Sequence, residues 1–95
     1  MKKKISWASI ALIILTPFTA FAAVQYPAEG GVWEYGNGRI IAYSYYTVNR
    51  VHGSSITRYG EMKARSVRTY PGQKSIAEKW HAPWTGGFRY HYRIY

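Results

Sequence analysis

Apolar and polar positions alternate with a period of two from about residue 31 onward, and that pattern predicts strands. It is cleanest near the C-terminal end, where Phe88, Tyr90, Tyr92 and Ile94 share one face and Arg89, His91 and Arg93 the other. A half-buried strand needs this arrangement, with one side in the core and the other in solvent. Upstream, Gly31-Val32-Trp33-Glu34-Tyr35 reads as a strand. It is followed by Gly36-Asn37-Gly38, a hairpin turn of residues that accept positive φ. Ile40 to Val48 is a second, longer strand, with Tyr43 and Tyr45 on one face and Ala42, Ser44 and Tyr46 on the other. Asn49 to Gly53 is a loop, and Ser54 to Tyr59 and Glu61 to Tyr70 are further strands. Pro71-Gly72 is a strong turn signal. Ser75 to Trp80 completes the set, although Ile76 to Lys79 would also tolerate a helical turn. Six short, evenly spaced strands predict an all-β fold, a small antiparallel β-sandwich.

The first residues follow a different rule. Lys2, Lys3 and Lys4 precede an apolar run from Ile5 to Leu15, and the segment closes on Ala20-Phe21-Ala22-Ala23. A basic start, a short apolar stretch and a small-x-small site are the three parts of a secretory signal peptide. Cleavage between Ala22 and Ala23 places Ala20 and Ala22 at the two small-residue positions; cleavage one residue later would place Phe21 there. A membrane anchor wants about 20 consecutive apolar residues, and Pro17 and Thr19 interrupt the run. The expected organisation is a signal peptide over 1–22 and one secreted, extracellular domain over 23–95. No later segment is long and apolar enough for transmembrane insertion.

Export makes the lack of cysteine informative. A secreted domain this small is marginally stable and usually adds disulfides, yet the chain has no Cys. That excludes a thiol nucleophile and every cysteine-based metal site. Residues 23–95 hold all ten Tyr together with Trp33, Trp80, Trp84 and Phe88. Ring burial is the expected substitute, because each ring can bury on the order of 150–250 Å². A homodimer is a second route to a larger core, which composition leaves open.

Charge narrows the choice of partner. Beyond the leader there are ten Lys and Arg (the thirteen of the chain less Lys2, Lys3 and Lys4) against four Glu and no Asp. A cationic surface attracts anions over about a Debye length. Lipid head groups, pyrophosphates, teichoic acids and nucleic acids qualify by charge, and export argues against nucleic acid.

Catalytic patterns are hard to assemble. A serine–histidine triad needs an acid to orient the imidazole; His52 with Ser54 and Ser55 lacks one nearby in sequence. Glycoside hydrolysis needs two carboxylates flanking a sugar, and the spacing of Glu29, Glu34, Glu61 and Glu78 suggests no such pair. His52, His81 and His91 show no metal-ligand spacing. Gly36-Asn37-Gly38-Arg39 lacks the strand–loop–helix context of a phosphate loop. The expectation is a protein that is not an enzyme, with no cofactor and no metal.

What remains is the interleaving of rings and cations in Trp80-His81-Ala82-Pro83-Trp84 and Arg89-Tyr90-His91-Tyr92-Arg93. Rings stack on sugars or sit at a membrane interface, and cations hold phosphate. Trp80, Trp84, Arg89, His91 and Arg93 are therefore the candidate target-binding residues. The plainer reading is that the rings fill a core and the cations keep a small protein soluble.

Four segments in order carry a resemblance: Gly31-Val32-Trp33-Glu34-Tyr35-Gly36, Ala42-Tyr43-Ser44-Tyr45-Tyr46, His52-Gly53-Ser54-Ser55 and Tyr90-His91-Tyr92-Arg93-Ile94-Tyr95. In this succession the chain resembles bacteriocins of the lactococcin 972 type. The resemblance implies a secreted antibacterial β-sandwich, with a homodimer among its assembly states, that blocks septal cell-wall synthesis in dividing Gram-positive relatives without making pores. Its implied partner is the lipid-linked peptidoglycan precursor, an anionic cell-wall intermediate at the membrane surface. The resemblance assigns no functional residue. Two other readings are a secreted binding or inhibitor module that acts on a wall polymer or partner protein without killing, and a small secreted hydrolase.

Overall fold

A computed structural model describes residues 21–95. Residues 1–20, and with them most of the expected leader, lie outside the described part. Seven strands follow: β1 Phe21–Gln25, β2 Val32–Asn37, β3 Ile41–Thr47, β4 His52–Arg58, β5 Glu61–Arg65, β6 Lys74–Trp80 and β7 Phe88–Ile94. They form a four-stranded sheet, β1-β2-β3-β6, and a three-stranded sheet, β5-β4-β7. Every pairing is antiparallel.

The expected all-β sandwich is therefore found, with one strand more than alternation predicted. β1 is the addition, and it includes Phe21 and Ala22 from the predicted end of the leader. Ser75–Trp80 is strand, not a helical turn. The fourth predicted strand stops at Arg65, short of Tyr70. Beyond it the chain leaves the β5 pairing and is held by Ser66 N–H on Ser54 O (2.9 Å) and by a two-way bridge between His52 and Thr69.

The β2–β3 hairpin occurs where expected, but Gly36 belongs to the strand and neither Gly36 nor Gly38 has a positive φ. Before any cleavage, close approach is what requires Gly36: a Cβ there would lie 2.3 Å from Phe21 O and 2.9 Å from the Tyr43 hydroxyl. The two-residue turn with both φ values positive is Tyr59-Gly60, at 53° and 80°. That is the twist-matched hairpin geometry, and it joins β4 to β5.

The apolar core is small. Ala42, Ile56 and Ala77 are buried, with Ala64, Phe88 and Tyr90 packed against them. Rings from the two sheets extend this cluster: Trp33 meets Tyr92 at 5.0 Å, Tyr46 meets Tyr92 at 4.8 Å, and Tyr35 stacks on Tyr90 at 5.3 Å. Only part of the aromatic set is used this way, since Tyr26, Tyr59, Tyr70, Trp80 and Trp84 are exposed.

The rest of the interior is polar and cross-linked. Ser54 of β4 and Ser75 of β6, from opposite sheets, meet at 2.9 Å, and Ser75 Oγ also accepts from Tyr46 N–H at 3.2 Å. Ser44 Oγ accepts from Trp33 Nε1 at 3.0 Å and donates across the sandwich to His91 O at 3.1 Å. His52 is fully buried, with Nδ1 2.6 Å from Arg50 O and Nε2 2.8 Å from Gln73 O. A neutral imidazole donates to one of those carbonyls, an imidazolium to both. Among the described residues every buried side-chain nitrogen or oxygen has a partner, so burial of this polar set is not left uncompensated.

Candidate functional site

The sandwich has two outer faces of different chemistry. On the four-stranded sheet, Tyr43 and Tyr45 stack at 5.0 Å. The Tyr45 hydroxyl donates to Glu78, and Lys74 Nζ sits 3.3 Å from Glu34 and 5.3 Å above the Tyr45 ring. Acids and base are matched there. Burial and the Glu78 carboxylate push the Tyr45 phenol up to about 12.

The outer face of β5-β4-β7 is cationic. Register places Arg89 beside Thr57, His91 beside Ser55, Arg93 beside Gly53, and Arg65 beside Ser55 from the other edge. His91 Nε2 lies 2.9 Å from Thr57 Oγ1. Arg93 crosses the sheet and donates through Nη1 to Ser54 O (3.0 Å), through Nη2 to Ser66 O (2.8 Å) and through Nε to the Tyr95 hydroxyl (2.6 Å). Gly53 makes this possible, because a Cβ at that position would fall 2.3 Å from Arg93 Cζ. Within His52-Gly53-Ser54-Ser55, His52 ties loops, Gly53 seats a guanidinium and Ser54 bridges the sheets.

Tyr95 collects further charge. Arg68 Cζ stands 4.5 Å over its ring and Arg93 Cζ 5.4 Å from the centroid. The Arg93 hydrogen bond, together with the Arg93 and Arg65 charges, holds the Tyr95 phenol below its usual range. Elsewhere the acids are engaged: Glu61 with Lys63 at 2.7 Å, and Glu29 as acceptor from the Tyr92 hydroxyl at 2.8 Å. Those contacts lower both carboxyl groups. Among the described residues the ion pairs are Lys63–Glu61 and Lys74–Glu34, so no side-chain carboxylate neutralises Arg65, Arg68, Arg89 or Arg93.

The five residues singled out from the sequence fall in three places. Arg89, His91 and Arg93 share the outer face of the three-stranded sheet, as alternation predicts. Trp80 ends β6 on the other sheet's outer side, opposite Ile41, and Trp84 sits exposed in the β6–β7 connection. Sheets in a sandwich are about 10 Å apart, so the Trp80 indole lies away from those three cations. Of the three, Arg93 is tied to backbone carbonyls, while Arg89 stays free. Sequence reasoning missed Arg65, Arg68 and Tyr95. Alternation puts Arg65 outward, but only tertiary register reveals that the chain after β5 returns beside the end of β7.

No three His, Cys, Asp or Glu side chains come together among the described residues. The histidines are engaged separately, His81 through Ala82 O (2.7 Å) and Asn37 Oδ1 (2.6 Å). What this surface can do chemically is bind oxyanions through guanidinium N–H groups. No helix among the described residues is long and apolar enough to cross a membrane.

Comparison with protein families gives a match to the family described as Bacteriocin (Lactococcin_972) over residues 29–90, well over half of the chain. The match starts after β1 and ends within β7. Comparison with curated proteins and with solved structures gives no match.

Proposed function

Because the chain belongs to the bacteriocin family of lactococcin 972, we propose that it is a non-catalytic antibacterial protein that blocks septal cell-wall synthesis by binding a lipid-linked peptidoglycan precursor. In this reading the leader over 1–22 directs export and is removed after Ala22, and residues 23–95 act on neighbouring cells from outside. The observation that carries the reading is the unneutralised guanidinium surface on β5-β4-β7 and the chain beside it. A pyrophosphate at the membrane surface offers clustered anionic oxygens, and charge-assisted hydrogen bonds from Arg suit them.

Growth assays on Gram-positive relatives with the purified secreted form, paired with microscopy and dye release, test this. The expected result is elongated cells without septa and no early leakage. Prompt leakage would mean membrane permeabilisation instead. Retention on wall fractions with no growth effect would favour the non-killing binding module, and release of soluble wall fragments by the pure protein would mean a hydrolase.

A further inference from the structure

The chain between β5 and β6 borders a groove at the edge of that guanidinium surface. Its volume is about 440 Å³, and Arg65, Arg68 and Lys74 line it together with Val67, Tyr70 and Ile76. That volume lies within the range of small-molecule sites, about 300–1,000 Å³. The three apolar residues are largely exposed, at 80%, 75% and 55% respectively. Arg68 also covers the Tyr95 ring at 4.5 Å, and Arg93 donates to the Tyr95 hydroxyl at 2.6 Å.

We infer that this groove is the seat of the precursor's lipid-linked pyrophosphate, with Arg65 and Arg68 on the phosphates and Val67, Tyr70 and Ile76 against the first isoprenoid units. The inference rests on the reading above and gives it an address. Charge complementarity carries it. Two guanidiniums, Arg65 and Arg68, stand near a third, Arg93, with no side-chain carboxylate among the described residues to neutralise them. Arg93 is committed to Ser54 O and Ser66 O; it positions Tyr95 and does not need to touch ligand. Lys74 is held by Glu34 at 3.3 Å, which leaves Arg65 and Arg68, both beside Tyr95 and neither held by a carboxylate, to donate to phosphate.

The apolar residues distinguish this ligand from a free phosphate. A site for inorganic phosphate gains nothing from three exposed hydrophobic side chains along its length. An amphiphile with a charged head and a hydrocarbon tail uses both, and Tyr70 suits the interface between them.

The test measures binding of the secreted protein to phosphatidylcholine vesicles carrying the lipid-linked peptidoglycan precursor, undecaprenyl pyrophosphate, or phosphatidylglycerol at matched charge. Inorganic pyrophosphate serves as a soluble probe. Wild type is expected to bind the first two vesicle types and to bind phosphatidylglycerol at least tenfold more weakly. The R65Q/R68Q variant is expected to lose at least tenfold on the precursor and on undecaprenyl pyrophosphate. R39Q/K79Q removes the same charge elsewhere and should stay within about twofold, as long-range attraction is only modestly changed. V67S/I76T should weaken vesicle binding while leaving inorganic pyrophosphate binding unchanged. Melting temperatures for each variant establish that it is folded.

Full precursor binding by folded R65Q/R68Q would overturn the groove and leave the functional reading standing. So would wild-type binding that needs the sugar and peptide and ignores undecaprenyl pyrophosphate. Equal affinity for phosphatidylglycerol would overturn the choice of precursor over bulk anionic lipid. No wild-type binding to precursor vesicles would remove the functional reading and the groove with it.

Discussion

Arg93 lies flat over Gly53, and that contact can be dissected by two substitutions that remove it from opposite sides. Arg93→Ala deletes the donors to Ser54 O and Ser66 O. Hydrogen bonds from a charged donor contribute about 1.5–3 kcal/mol each. Ser54 O keeps Ser66 N–H at 2.9 Å, and the site is partly solvated, so the expected loss is about 2–3 kcal/mol in total. Gly53→Ala leaves Arg93 in place but puts a methyl 2.3 Å from its Cζ. The guanidinium is the free end of a flexible chain, so it moves off and the same two bonds are lost. Gly53 has no positive φ, and alanine regains about 0.5–1 kcal/mol of glycine's backbone entropy. The expected net cost of Gly53→Ala is therefore about 1–2 kcal/mol. Urea unfolding followed by tryptophan fluorescence reads each value by linear extrapolation. In the Arg93→Ala background, Gly53→Ala should be neutral or slightly stabilising, a coupling of about 2 kcal/mol. If Gly53→Ala costs the same in both backgrounds, the glycine is needed for the backbone and the argument about its role is wrong.

Three further outcomes follow from packing and hydrogen bonding within the sandwich. Ser75→Ala removes the buried hydroxyl that accepts from Tyr46 N–H and meets Ser54 Oγ, at a cost of about 1–3 kcal/mol in urea unfolding; an unchanged midpoint would mean that water or a backbone shift replaces the hydroxyl. Trp33→Phe keeps a ring between Tyr35 and Tyr92 but loses the indole donor to Ser44, about 1 kcal/mol, and Trp33→Ala should cost more, about 3 kcal/mol for a half-buried ring. Equal costs would place the indole's value in its hydrogen bond rather than in the ring. Burial pushes the Tyr90 phenol up to about 12, and burial with Glu78 does the same for Tyr45, against 10.0 for a free tyrosine. A raised pKa in the folded state means that this stabilisation is complete below pH 10 and is lost as pH rises toward 12. Melting temperature should fall across that window, and tyrosinate absorbance showing all tyrosines ionising at their ordinary value would contradict it.

Much of the fold was legible because alternation reports burial directly. Ala42, Ser44 and Tyr46 share one face as their spacing predicts, and the fold makes it the inner one; Phe88, Tyr90, Tyr92 and Ile94 share a face opposite an outward Arg89, His91 and Arg93. Local pattern could not reveal β1, because Phe21–Gln25 shares residues with a segment whose composition reads as a leader's end. It also placed positive φ at Gly36-Asn37-Gly38, where the need is for space, and missed Tyr59-Gly60, since tyrosine is a poor signal for that turn. The cationic face was half legible: Arg89 and His91 follow from period two, whereas the grouping of Arg65, Arg68 and Tyr95 depends on which strands neighbour one another. Trp80 is close to Arg89 along the chain, yet the chain crosses from one sheet to the other between them. Proximity in sequence misleads where a connection changes layer.

Sequestration of an anionic wall precursor, the proposed mode of action, is open to an antagonism experiment. Sensitive dividing cells would be exposed to a lethal dose of the secreted protein together with increasing amounts of purified lipid-linked peptidoglycan precursor. Growth and septum formation are expected to return as precursor approaches the protein in molar amount, while an equal charge of phosphatidylglycerol gives no protection. Killing that persists at excess precursor, or is relieved equally by phosphatidylglycerol, would contradict it.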